Sequence, residues 1–153
     1  MHRLRSAFVL LTLVVLASSL PGVSEAGKPS GGAGGGSRGG LKLTADNVVP
    51  GPGDTGASAS MTVKVGRNSV SFSTGVSNTA GYISTIAIYE GWAGQTGPVV
   101  VRLSPSEIGQ PQLLGTVPAS TDVCRAISRN PAGYYVEIRT SAFPGGALRA
   151  QLH

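Results

Sequence analysis

Two runs of alternating residues, joined by a short turn, constrain the fold of this chain most. Between Ala57 and Val65 every second residue is small or apolar, and the residues between them are mostly serine, threonine or lysine. The same alternation returns between Val70 and Val76, after a break at Gly66-Arg67-Asn68. Successive side chains of a strand point to opposite faces, so two such runs around a Gly/Asn turn predict a β-hairpin with one buried face.

Further short runs with the same period follow, separated by segments rich in glycine and proline. They predict strands at Leu41–Leu43, Ile83–Tyr89, Pro98–Leu103, Tyr134–Arg139 and Ala147–Leu152. The last two are expected to form a second hairpin through Phe143–Gly146. Six or more short strands with such punctuation favour an antiparallel sandwich or barrel, and we predict an all-β, Greek-key-like antiparallel sandwich.

One segment departs from the β pattern. Between Ser120 and Arg129 the apolar residues Val123, Cys124 and Ile127 stand at helical spacing, with Ser120 or Thr121 available as N-cap. Asn130-Pro131 then ends the pattern. We predict one short helix near residues 121–129, packed by its apolar side over an open end or edge of the sheets.

The first forty residues have the pattern of a signal peptide followed by a flexible linker, which predicts export of the domain that follows. Residues 1–26 have a basic start, an apolar core from Ala7 to Leu20 and a small-x-small site at Ser24-Glu25-Ala26, as in a signal peptide. The core is shorter than the roughly 20 residues of a membrane span; an uncleaved interfacial anchor is the alternative. Residues 27–40 are mostly glycine and predict a flexible linker, which leaves 41–153 as the domain. The expected location is extracellular, or the periplasm or cell envelope in a bacterium.

Charge and cysteine content narrow the partners. Much of the formal net charge of +5 lies before residue 41, and no basic stripe with interleaved aromatics follows, which argues against nucleic acid. A weak attraction to an acidic polysaccharide or membrane surface is compatible with the remaining charge. Cys124 is the only cysteine, so its thiol is either buried, which we favour, or forms an intermolecular disulfide.

The sequence contains little that supports catalysis. The only histidine after the predicted signal peptide is His153 at the chain end, so no Ser-His-Asp or Cys-His arrangement can be built. The carboxylates Glu90, Glu107 and Glu137 are scattered, and nothing in their spacing requires two of them to converge as a glycosidase pair must. We therefore expect no catalytic residues, no metal ligands and no cofactor.

Two ordered motifs nevertheless resemble a known family. The run Gly91–Leu103 contains Gly-Gln-Thr-Gly-Pro-Val-Val, and Thr140–Leu152 reads Thr-x-x-x-Pro-Gly-Gly-x-x-Arg-x-Gln-Leu. With the preceding strands they resemble the CHRD domain, named after the animal protein chordin and found in many bacterial secreted proteins. The resemblance covers about Leu41 to Leu152. It implies an extracellular β-sandwich module.

The chain departs from that family where a metal site would be expected. Members typically carry Ala-His-Ile-His where this chain has Ile86-Ala87-Ile88-Tyr89, and His-Thr where it has Arg139-Thr140. Strand alternation puts positions 87 and 89 on one face, where paired imidazoles would ligate copper or zinc. Alanine has no donor atom and arginine is a permanent cation. If the family site binds metal, the resemblance implies that this member has lost it.

Trp92, Tyr89 and Arg139 form the candidate binding surface. Trp92 on its glycine-rich loop either stacks on a sugar or a protein partner, or caps the core, which we favour. Tyr89 either replaces a site histidine or simply packs, and Arg139 is expected in a surface ion pair beside Glu137. Arg149 is expected to tie down the final turn.

The sequence therefore predicts a secreted, non-catalytic CHRD-domain protein that acts as an extracellular binding or structural module. Its expected partner is an extracellular protein or polysaccharide. We expect neither nucleic acid binding nor a stable membrane span. Two alternatives stay open at this point: a metal-dependent or redox enzyme of the same fold, and a carbohydrate-binding wall protein.

Overall fold

A computed structural model describes residues 37–104 and 113–153 of the chain. The predicted signal peptide and most of the predicted linker lie outside the described residues. The described elements are, in chain order, β1 (Ser37–Leu43), β2 (Ser58–Val65), β3 (Ser69–Ser77), β4 (Ile83–Glu90), β5 (Val99–Ser104), β6 (Leu114–Pro118), α1 (Thr121–Arg129), β7 (Tyr134–Thr140) and β8 (Leu148–Gln151).

The strands form two four-stranded sheets. The first has the order β1-β2-β3-β6 and the second β5-β4-β7-β8, and every pairing is antiparallel. Strand β6 returns beside β3 after the chain has passed through β4 and β5 of the other sheet, which is a Greek-key-like path. The predicted all-β antiparallel sandwich is confirmed, as are the two predicted hairpins, β2–β3 and β7–β8.

The alternating residues of the strands meet in one core. In β2 the buried positions are every second residue, and Val63 lies opposite Phe72 of β3. The second sheet contributes buried residues from each of its four strands: Ile86, Ile88, Val101, Leu103, Val136, Ile138, Leu148 and Ala150. Burial of such side chains, at roughly 25 cal/mol per Å² of apolar surface, is the main stabilising contribution to a sandwich of this kind.

The helix covers one part of this core. It begins as predicted, because the Ser120 hydroxyl accepts a hydrogen bond from the Val123 backbone N–H at 3.2 Å. Ile127 and Cys124 are buried, and the Cys124 thiol lies 3.8 Å from the Ser69 carbonyl oxygen. The predicted burial of Cys124 is confirmed. A thiol only 1% exposed is not positioned for the intermolecular disulfide that was the alternative.

The loop after β1 leads the chain across to the second sheet. Thr44 and Arg149 exchange both backbone hydrogen bonds at 3.0 Å, which joins the end of β1 to β8. Asp54 then donates its backbone N–H to the Ala147 carbonyl at 2.9 Å. Between these two points Val48 is buried, and a Cβ built on Gly146 would lie 2.7 Å from Val48 Cγ1 and 3.2 Å from the Glu137 carboxylate. The outer face of the second sheet is therefore partly covered by this loop.

Two features of the fold differ from the prediction. Strand β1 begins at Ser37, inside the predicted linker, and a register shift between Arg38 and Leu41 accommodates Gly39-Gly40 as a bulge. Strand β6 was not predicted, because Leu114–Pro118 is short and contains glycine and proline; it pairs only with β3 in its sheet, an edge position that tolerates proline. Within the described ranges no helix has the length and hydropathy to cross a membrane.

Candidate binding site

Four side chains on the outer face of the second sheet form a stack. Tyr89 and Tyr135 lie opposite each other in β4 and β7, and their rings stack with centroids 5.1 Å apart and planes 9° from parallel. The guanidinium of Arg139 lies 5.0 Å from the centre of the Tyr89 ring, and that of Arg149 lies 3.4 Å from the centre of the Tyr135 ring. We call these four residues the Arg–Tyr stack. Its cation–π contacts are of a kind worth about 0.5–2 kcal/mol each.

Glu137 balances part of the charge of the Arg–Tyr stack. Its carboxylate accepts from Arg139 Nε at 2.8 Å and is only 1% exposed. The predicted ion pair forms, but it is not a surface pair as predicted, because the Glu137 side chain is buried and that of Arg139 is about one third exposed. Burial raises the pKa of Glu137, although Arg139 and Arg149 both favour its charged form. Removing one partner of such a pair would leave a buried charge uncompensated, which is costly.

Tyr89 and Arg139 of the Arg–Tyr stack stand at two of the positions where the family resemblance implied histidines, and Ala87 stands at the third. Ala87 is fully buried and has no donor atom, and Tyr89 is also buried, with 2% of its surface exposed. Burial also raises the pKa of Tyr89, which keeps its phenol protonated and a poor ligand. Arg139 adds a positive charge beside it. The residues present therefore do not fit a metal ion here, and the described residues contain no group of three His, Cys, Asp or Glu side chains suited to one.

The loop between β4 and β5 projects beyond this stack and carries Trp92. Glu90 N–H donates to the Pro98 carbonyl at 3.0 Å and closes the base of the loop. A side chain at Gly97 would overlap the Glu90 carbonyl oxygen, and Gly94 has a φ of 79°, so both positions require glycine. Trp92 is 52% exposed. The prediction that Trp92 caps the core is therefore wrong.

Side chains of the second sheet hold this loop in place. Arg149 donates from Nη2 to the Trp92 carbonyl oxygen at 3.1 Å. Gln151 Nε2 lies within 2.9 Å of three carbonyl oxygens, those of Gly91, Ala132 and Tyr134. The Tyr135 hydroxyl accepts from the Gly97 N–H at 3.3 Å. Arg149 thus fastens the Trp92 loop and not the final turn, which corrects the prediction made for it.

Gln151 was not singled out from the sequence, although a signal for it was present. Arg149 and Gln151 stand two residues apart in β8, so they share the face opposite Leu148 and Ala150. Long polar side chains on one face of a strand whose other face is apolar commonly reach for polar groups nearby. What alternation did not reveal is that the carbonyl groups they reach belong to the Trp92 loop and to the turn before β7.

A cleft of about 350 Å³ opens beside the indole of Trp92. We call it the Trp92 cleft; it is lined by Glu90, Gly91, Trp92, Gln95, Thr96, Gly97, Pro98, Asn130, Gly133 and Tyr134. A Cβ built on Gly133 would lie 4.0 Å from Trp92 Cζ2, so one edge of the indole faces the backbone at Gly133. Burial raises the pKa of Tyr134, and the nearby Glu90 carboxylate raises it further, so its phenol stays protonated.

The structure separates the three residues of the predicted binding surface. Tyr89 and Arg139 lie together in the Arg–Tyr stack, where Tyr89 is buried, while Trp92 lies on the loop beyond. Arg149 connects the two places, because its guanidinium stacks on Tyr135 and also donates to the Trp92 carbonyl. Of the three, Trp92 offers the exposed surface that a ligand would meet.

The two packed sheets and the loop held by Arg149 and Gln151 define a small β-sandwich module of the kind that the sequence motifs suggested. The family model of the CHRD domain matches residues 40–152, and the chain belongs to the CHRD domain family. Comparisons with the curated proteins and with the solved structures gave no match. CHRD domains are typically extracellular, so membership supports an extracellular, binding-type module.

Proposed function

We propose that this chain is a secreted, non-catalytic binding module whose ligand occupies the Trp92 cleft. The observation that carries the proposal is a half-exposed tryptophan on a loop whose backbone is held by Arg149 and Gln151. The family supports an extracellular, binding-type module, and the sequence of residues 1–26 supports export.

The loop is suited to binding because its conformation is set before a ligand arrives. Association loses side-chain and loop freedom, at about 0.5–1.5 kcal/mol for each immobilised side chain. Hydrogen bonds from Arg149 and Gln151 to the carbonyl groups of Trp92 and Gly91 reduce that loss for the backbone of the loop. Tryptophan is also one of the residue types enriched among those that dominate binding energies.

The chemistry of the cleft supports the non-catalytic part of the proposal. Its lining residues carry one carboxylate, Glu90, and neither imidazole nor thiol. The second carboxylate of this region, Glu137, is buried, paired with Arg139 and outside the set that lines the cleft. A hydrolytic pair needs two carboxyl groups on either side of one bond, about 5 to 9 Å apart. Glu90 alone does not supply such a pair.

A capture experiment tests the proposal. The full chain is expressed in a secreting host, and N-terminal sequencing of the secreted protein shows whether residues 1–26 are removed. Immobilised wild type, Trp92→Ala and Tyr82→Ala are then incubated with the extracellular fraction of the source cells. Tyr82 is the matched control, because it is 73% exposed and lies at the opposite end of β4, roughly 25 Å along an eight-residue strand.

We expect wild type and Tyr82→Ala to retain the same material and Trp92→Ala to lose it, with unchanged circular dichroism. Equal retention by Trp92→Ala would remove the cleft as the binding site. Stoichiometric copper, zinc or iron in the purified secreted protein would contradict the non-catalytic assignment. It would favour the alternative, a metal-dependent or redox enzyme of the same fold.

A further inference from the structure

We propose that the ligand of the Trp92 cleft is an uncharged polysaccharide, bound with a sugar ring against the Trp92 indole. This inference rests on the proposed function, because it names the chemical class of the ligand for the same cleft. Three features of the cleft carry it: the half-exposed indole of Trp92, a set of neutral polar side chains in the lining, and one carboxylate.

The aromatic feature matches a sugar ring better than a protein surface. Among the exposed large apolar side chains of the described ranges, Trp92 alone lines the cleft. Protein interfaces of stable complexes bury about 800 Å² on each partner around a cluster of apolar anchors. A pyranose ring needs only one flat apolar surface for its C–H face, and the half-exposed indole of Trp92, which lines the cleft, is such a surface.

The polar features match the hydroxyl groups at the rim of such a ring. Gln95, Thr96 and Asn130 place amide and hydroxyl groups around the indole, each able to both donate and accept. The backbone N–H of Trp92 donates to Gln95 Oε1 at 3.4 Å. This contact orients the side-chain amide of Gln95 and leaves its Nε2 group to donate. The protonated Tyr134 phenol adds a further donor and acceptor at the cleft wall.

The charged side chain that lines the cleft is negative, whereas the net charge of the whole chain is positive. The chain has a formal net charge of +5, which by itself favours acidic polymers through weak, salt-sensitive attraction. Glu90, however, is the only charged residue among the described residues that line the cleft. A uronate bound against the indole would meet this carboxylate, and a like charge about 4 Å away in water weakens binding by about fivefold. The cleft therefore favours an uncharged chain.

The single tryptophan of the protein makes the test direct, because intrinsic fluorescence reports on Trp92 alone. The secreted full chain is titrated with neutral hexasaccharides of β-1,4-linked glucose, β-1,3-linked glucose and β-1,4-linked mannose. Oligogalacturonate of the same length is the acidic probe. We expect a saturable change with at least one neutral probe and binding of oligogalacturonate at least about fivefold weaker than that probe.

Glu90→Gln separates charge from shape in this experiment. It should bring the affinity for oligogalacturonate to within about twofold of the same variant's affinity for the neutral probe, because the like-charge repulsion is removed. Trp92→Phe, followed by calorimetry, should retain part of the neutral affinity that Trp92→Ala loses. The conservative variant keeps the test meaningful should the alanine variant be unstable.

The outcomes distinguish this inference from the proposed function. If no neutral hexasaccharide gives a saturable change, or if oligogalacturonate binds more tightly than all of them, the polysaccharide assignment is wrong. If Trp92-dependent capture from the extracellular fraction is abolished by protease and unaffected by glycosidases, the ligand is a protein: the inference fails and the proposed function stands. Capture that does not depend on Trp92 removes both.

Discussion

Gln151→Met isolates the contribution of the amide that fastens the Trp92 loop. Methionine has nearly the volume of glutamine, so the substitution removes the hydrogen bonds without opening a cavity. The Gln151 Nε2 group has two hydrogens and lies 2.7 Å from the Gly91 and Ala132 carbonyl oxygens and 2.9 Å from that of Tyr134. Its loss leaves three carbonyl groups, one in the Trp92 loop and two where the chain enters β7, without this donor.

The expected cost follows from the two N–H groups. Each hydrogen bond of this kind contributes about 1 kcal/mol net to the free energy of unfolding, so Gln151→Met should lose about 2 kcal/mol. For a domain of about 110 residues, 1 kcal/mol corresponds to roughly 4 °C in Tm, and the expected decrease is about 8 °C. Gln151→Glu should be less stable than Gln151→Met at neutral pH, because its carboxylate would face carbonyl oxygens.

Thermal unfolding followed by circular dichroism measures the stability change, and acrylamide quenching of Trp92 fluorescence measures the loosening of the loop. We expect Gln151→Met to lower Tm and to raise the quenching constant together. A Tm within about 2 °C of wild type with unchanged quenching would refute the argument that this amide holds the loop. Gln151→Glu should recover stability relative to Gln151→Met as the pH falls toward 4, because the carboxylate then takes up a proton and becomes a donor.

Three further predictions concern the buried groups and the glycine loop. Burial raises the folded-state pKa of Glu137, so its stabilising contribution is present below about pH 4 and is lost as the pH rises through the folded-state pKa; urea unfolding from pH 4 to 8 should show this dependence in wild type and not in Glu137→Gln. Gly97→Ala should lower the free energy of unfolding by about 1–3 kcal/mol through overlap with the Glu90 carbonyl, whereas Gly40→Ala, with open space around it, should match wild type in the same measurement. Cys124 should react with a thiol reagent only on unfolding, because it is buried and burial raises its pKa; rapid labelling of the native protein would contradict this.

The fold was largely predictable because local patterns decide it. Alternation between Ala57 and Val76 specifies both the strands and their buried face, and the Ser120 cap with its apolar spacing specifies the helix. Strand β6 was not predictable in this way, since its short run has little alternation of its own and is ordered by pairing with β3. The start of β1 was predicted as linker, because a pair of glycines such as Gly39-Gly40 is compatible with a β-bulge as well as with a flexible linker.

The candidate site was less predictable, because its contacts cross between strands and loops. Tyr89 and Arg139 were singled out from their positions in the family pattern, but their stacking depends on which residues stand opposite each other in β4 and β7. The exposure of Trp92 could not be read from its sequence neighbours. The backbone of Trp92 is held by Arg149, which lies 57 residues further along the chain and donates to the Trp92 carbonyl.

Strand β8 explains why the fold and the candidate site are linked in this domain. Leu148 and Ala150 point into the core, while Arg149 and Gln151 point outward and hold the loop. A shift of one residue in the pairing of β8 with β7 would exchange these two faces and disturb the core and the loop together. The Arg-x-Gln-Leu part of the family motif therefore acts as a scaffold for the loop. Neither Arg149 nor Gln151 lines the Trp92 cleft, so under the proposed function they act on a ligand only through the loop that they hold.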